Sequence, residues 1–111
     1  MIKINIPEKI MWSLQRLSAI LILIFTIWFL ISFFNNNFSN YEETILWIKK
    51  SYNSIILFVF STSIFFHSSL GLTVIIDDYV HDNVLKKLLS IFKNLVITTC
   101  IVFSGISLYL I

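Results

Sequence analysis

Three long apolar stretches constrain this chain more than anything else in it. Asp, Glu, Lys and Arg are all absent between Leu17 and Phe34, between Ser54 and Ile76, and between Asn94 and Ile111. At about 1.5 Å per helical residue, each stretch suffices to cross a hydrocarbon core about 30 Å thick. In lipid, every backbone N–H and C=O must be bonded within the protein, and without the alternation of a barrel only helices achieve that. The sequence therefore predicts an all-α protein of three transmembrane helices, at about residues 12–34, 51–77 and 84–111. With 58% hydrophobic and 13% charged residues in 111, the chain has room for one membrane domain and lacks the composition of a soluble one.

The flanks give orientation. Pro7 fits the first position of a helix and disfavours helix at Ile6, so residues 1–6 read as an extended lead. Lys3, Lys9, Arg16, Lys86, Lys87 and Lys93 lie toward one face and Lys49 and Lys50 toward the other, six against two. That asymmetry predicts the N-terminus inside and the C-terminus outside. The loop Asp77 to Lys87 then shares the inner face. The first apolar run is too long for a signal-peptide core and no small-residue cleavage site follows it. With no Arg- and Ser-rich transit peptide, a mitochondrial protein of this kind is expected either to be made inside the organelle, which the initial Met favours, or to stand here in its mature form. Between the first two spans, YEETILWIKK carries acids first and lysines last, as a helix dipole prefers, and Trp47 suits a membrane-surface anchor.

Ionisable groups inside spans are costly and mark functional candidates. His67 lies deep in the second span. Its imidazole could hydrogen-bond a helix neighbour such as Ser63, or it could ligate haem iron. For the second reading, Gly71 one turn on would admit a flat macrocycle and Arg16 could meet a propionate. His81 lies in the polar inner loop, so a second axial ligand would have to come from another chain. Arg16 also reads as a side chain snorkelling to the headgroups. Asp78 and Tyr79 follow His67 at about 16 Å along the axis, near the inner interface. They fit either an ordinary helix terminus or a quinone contact, with the phenol donating to a quinone carbonyl and Asp78 orienting a partner's cation. Lys93 can snorkel toward the inner face, and Cys100, alone in a span, reads as a small apolar residue. No phosphate loop, Cys/His metal cluster or basic stripe for nucleic acid is present.

The pattern QRLSA at Gln15 to Ala19, HSSLGL at His67 to Leu72 and DY at Asp78 and Tyr79 resembles the smaller cytochrome b anchor subunit of succinate dehydrogenase, respiratory complex II. The larger anchor subunit is less similar, because its His-Arg and Arg-His pairs are absent. The resemblance implies that His67 is one axial ligand of the iron of haem b, that Arg16 contacts a haem propionate, that Tyr79 hydrogen-bonds ubiquinone and that Asp78 supports the quinone pocket. An additional acid at Asp77 leaves the register of that acid open by one residue. It further implies a subunit with no catalytic centre of its own. Its partners would be a second cytochrome b anchor subunit, an iron–sulfur subunit and a flavoprotein subunit. The expected location is the mitochondrial inner membrane, with a bacterial inner membrane as the alternative. A competing expectation is a structural or assembly subunit of another respiratory complex, in which His67 binds nothing.

Overall fold

The structure, a computed structural model, describes residues 8–36 and 38–111. The expected extended lead and the helix-starting Pro7 lie outside the described residues. Four helices make up the architecture: α1 (Glu8–Asn35), α2 (Tyr41–Lys49), α3 (Ser51–Tyr79) and α4 (Asn83–Leu110). No strand occurs among the described residues. Three of the helices, α1, α3 and α4, are long and apolar enough to cross a membrane. The first helix is already formed at Glu8, one turn ahead of Trp12, since nothing after Pro7 opposes helix.

Helix α3 is central. It packs against α1, α2 and α4, while α1 and α4 flank it rather than packing on one another. On the seam with α1, Phe60 lies against Phe25 and Phe29 at centroid separations of 5.8 and 6.4 Å. On the seam with α4, Gly105 lets Phe58 come in closely, because a Cβ there would stand 3.1 Å from the ring.

Polarity runs inside out, as a lipid environment requires. The most buried side chains among the described residues are Ser18, Trp47, Asn53 and Leu70, two of them polar, while leucines, isoleucines and phenylalanines cover the outside. Lipid tails are as apolar as these side chains, so burying them gains little, and polar groups that can bond across helices turn inward. Hydroxyls within the spans are satisfied locally: Thr26, Ser61, Thr62, Ser63 and Thr99 each donate to the carbonyl four residues back.

The connections are capped by their own residues. Asn40 Oδ1 accepts from the Glu42 amide at 2.9 Å to start α2, and Asp82 Oδ1 accepts from the Val84 amide at 3.1 Å to start α4. At the corner between α2 and α3, Asn53 Nδ2 donates to the Trp47 carbonyl at 2.8 Å and Ser54 donates to the Ile48 carbonyl. These bonds occupy carbonyls that the end of α2 would otherwise leave open.

The surface-anchor reading of Trp47 is corrected here. Its indole is 8% exposed. It stacks on Trp28 at 5.7 Å and meets Phe29 and Phe38 edge-on at 6.5 and 5.2 Å. Two rings near the end of α1 and one in the connection supply an aromatic pocket, so the indole turns inward and clamps α2 onto the bundle.

Candidate functional site

His67 sits on α3 twelve residues before its last residue, about 18 Å along the axis. Ser18 sits on α1 ten residues after its first, about 15 Å along. Since α1 and α3 run in opposite directions, both residues lie at nearly one depth below one face. Their side chains meet there. Ser18 Oγ is 2.9 Å from His67 Nδ1 and 3.0 Å from the carbonyl oxygen of Gln15. Ser18 is 4% exposed, while the imidazole is half-buried. Ser63, the neighbour that the sequence offered to the imidazole, instead donates to the Val59 carbonyl at 2.8 Å.

With Nδ1 engaged by Ser18, Nε2 is the ring nitrogen left to act as a ligand. One turn on, Gly71 has open space beside it: a Cβ built there would meet nothing within 4 Å. A largely apolar groove of about 330 Å³ runs between α1 and α4 over α3, with Ser18, Ser63 and Phe66 in its wall. Neither His67 nor Gly71 lines that groove, but a free imidazole nitrogen one turn from an open glycine face fits one side of a haem. Among the described residues there is no cluster of three metal-ligating side chains. This chain could therefore supply one ligand to such a group and not a closed metal site.

The structure does not bring the other expected site residues to His67. Arg16 lies two residues before Ser18, about 200° around α1. It is exposed, with its guanidinium carbon 5.3 Å from the Trp12 ring centroid, one turn toward the helix start. That cation–π contact carries the side chain toward the headgroup end of the span, as snorkelling requires, and leaves its donors open. Asp78 and Tyr79 are both exposed at the end of α3, Tyr79 at 78%. Asp77, the acid that clouded the register, pairs with Lys86 at 3.8 Å, whereas Asp78 has no ion-pair partner among the described residues. Lys93, half-buried on α4, donates to Thr73 Oγ1 at 2.5 Å and to the Ser69 carbonyl at 3.4 Å, which ties α4 to α3 between His67 and the end of α3. Both that tie and the Ser18 contact escaped the sequence reading.

Residues 2–103 match the succinate dehydrogenase/fumarate reductase transmembrane subunit family. The chain belongs to that family. Among its relatives is a succinate dehydrogenase hydrophobic membrane anchor subunit of Rickettsia prowazekii, 35% identical over 85 residues, covering 76% of this chain and 67% of the relative. A subunit of the same name from Rickettsia conorii is 27% identical over 99 residues, covering 88% and 79%. The resemblance drawn from the QRLSA, HSSLGL and DY patterns to a succinate dehydrogenase anchor is thereby borne out. The family match takes in Arg16, Ser18, His67, Asp78 and Tyr79 together. These relatives are bacterial, and the three candidate spans make the chain a multi-pass membrane protein.

Proposed function

We propose that this chain is a membrane-anchor subunit of a succinate:ubiquinone oxidoreductase. With a second anchor subunit it would hold the iron–sulfur and flavoprotein subunits on the inner face of the membrane and contribute to the haem b and ubiquinone sites. The observation that carries the reading is the His67–Ser18 contact at mid-span, with one imidazole nitrogen engaged and an open glycine face beside it. The membrane is one that carries a respiratory chain, in a mitochondrion or, as for the relatives, in a bacterium.

Each residue then has a task that follows from its position. His67 would offer its imidazole nitrogen to the haem iron, and a further ligand would come from the partner anchor, because His81 lies outside the spans. Haem b, when bound, supplies one-electron redox chemistry. Arg16, exposed and near the inner end of α1, offers its guanidinium to a propionate, whose charge it would neutralise. Tyr79 donates its phenol O–H to a quinone carbonyl. Asp78, with Asp77 drawn off to Lys86, is left to orient a cation from a neighbouring subunit. The N-terminus and the loop between α3 and α4 face inside, which puts Tyr79 on the same side as the soluble subunits. A membrane-impermeant label on single cysteines added to the loop at residues 80–83 checks this. Labelling from the outer side would reverse the orientation and remove the quinone role from Tyr79.

The decisive experiment is purification of the complex in mild detergent through a tag on this chain, with subunit masses and a visible spectrum, alongside His67→Ala. The expected result is co-purification of three further subunits and a low-spin b-type spectrum that His67→Ala abolishes or shifts. An unchanged low-spin spectrum in an intact His67→Ala complex would show that His67 is no ligand. A preparation with neither haem nor the soluble subunits would sink the whole reading.

A further inference from the structure

A serine hydroxyl has one proton and can satisfy only one of two acceptors. Ser18 Oγ has two partners within bonding distance, the Gln15 carbonyl at 3.0 Å and His67 Nδ1 at 2.9 Å. The carbonyl can only accept, so the hydroxyl proton must go to it if that bond is made. Both contacts are then satisfied in one arrangement alone: Nδ1 carries the ring proton and donates it to Oγ. The opposite arrangement, with Oγ–H directed at Nδ1, leaves the contact to the carbonyl unmade. Ser18 is 4% exposed in a membrane-spanning helix, where water offers no substitute partner.

We propose that Ser18 is a positioning residue that fixes the tautomer and orientation of His67, holding the proton on Nδ1 and so presenting the lone pair of Nε2 to iron. The proposal rests on the haem-ligand reading of His67 above. The chain Nδ1–H to Oγ–H to backbone carbonyl does more than lock the ring. Donation from Nδ1–H pushes electron density into the imidazole and makes Nε2 a more basic ligand, which favours ferric over ferrous iron. The backbone carbonyl at the end of the chain stabilises the hydroxyl as donor, so the effect of Ser18 is relayed rather than direct. The relay joins α1 to α3, and the ring orientation thus depends on how these two helices pack.

The test uses the intact detergent-solubilised complex and four variants: His67→Ala, Ser18→Ala, Ser18→Thr and Ser63→Ala. Haem content, the midpoint potential and the g-values of the low-spin ferric haem are measured for each. Ser18→Ala is expected to raise the midpoint potential and shift the g-values, with haem retained less firmly. Ser18→Thr keeps the hydroxyl and should restore wild-type values. Ser63→Ala, which removes a hydroxyl bonded only to its own helix, should move neither. If Ser18→Ala disturbs assembly, Ser18→Cys, similar in volume but a far weaker hydrogen-bonding group, is expected to give the same upward shift. Potential and g-values at wild-type levels in Ser18→Ala or Ser18→Cys, while His67→Ala loses the low-spin signal, would overturn the role of Ser18 and leave His67 as ligand. A shift in Ser63→Ala with none at Ser18 would overturn it as well. A low-spin signal that survives His67→Ala would remove the ligand reading itself.

Discussion

Replacing Trp47 by alanine separates a clamp from a surface anchor. The indole is 8% exposed and holds three ring contacts, to Trp28, Phe29 and Phe38. A buried Trp contributes about 150–250 Å² of area, worth roughly 4–6 kcal/mol at about 25 cal/mol per Å² as an upper bound. Undocked, the indole would partition to the headgroup region and recover part of that, so about 3 kcal/mol is the expected net loss for the α2 contact. At about 1.4 kcal/mol per decade, that is an increase of roughly a hundredfold in the open population. Helix α2 has nine residues, too few to persist alone in water, so an opened α2 loses its amide protection. Hydrogen exchange of residues 41–49 in nanodiscs reads this directly, with the amides of α1 and α3 as internal controls. Trp47→Phe keeps a ring in the pocket and should give a smaller rise. Exchange in α2 within about threefold of wild type in Trp47→Ala would refute the clamp and restore the surface anchor.

Two further outcomes are expected. Thr73→Val should destabilise the detergent-solubilised protein more than Lys93→Met, because the first leaves an ammonium inside a span with one fewer partner and the second removes the charge itself; thermal denaturation checks the order, and wild-type stability in Thr73→Val would show the contact to be idle. Tyr79→Phe should lower quinone reductase activity about five- to hundredfold, the equivalent of about 1–3 kcal/mol, while succinate oxidation by an artificial acceptor survives; wild-type quinone reduction in an assembled complex would remove Tyr79 from the site.

The spans were legible because lipid imposes one requirement on every residue of a crossing segment, and uninterrupted hydropathy is its direct imprint. The polarity of α2 was legible for a similar reason: Glu42 and Glu43 at one end and Lys49 at the other carry the dipole signature on the sequence itself. The side of Trp47 was not. An indole beside a membrane face suits the headgroup layer and an aromatic pocket equally well, and Trp28 and Phe38, which decide between them, reach it only through the fold, from α1 and from the connection after it. Asp77 and Asp78 posed the same difficulty. Adjacent acids at a helix end are equivalent until Lys86, nine residues on, selects one of them.

At the site, depth could be read from the sequence and pairing could not. His67 stood out because an imidazole amid apolar residues is an exception, whereas Ser18 is one of many hydroxyl residues that a membrane helix tolerates by back-bonding to its own turn. What distinguishes Ser18 is that counting from the same membrane face puts it at about 15 Å and His67 at about 18 Å on antiparallel helices that pack together. That arithmetic would have nominated it. The same geometry explains why the remaining residues look unfinished. Ser18 and His67 Nδ1 meet inside the chain, but Arg16, Asp78 and Tyr79 are exposed, and Arg16 lies against the Trp12 ring. A site of this chain's own would have gathered these groups around one cavity. Their outward placement leaves their polar groups open to neighbouring subunits, which suits a half-site whose complement other subunits would carry.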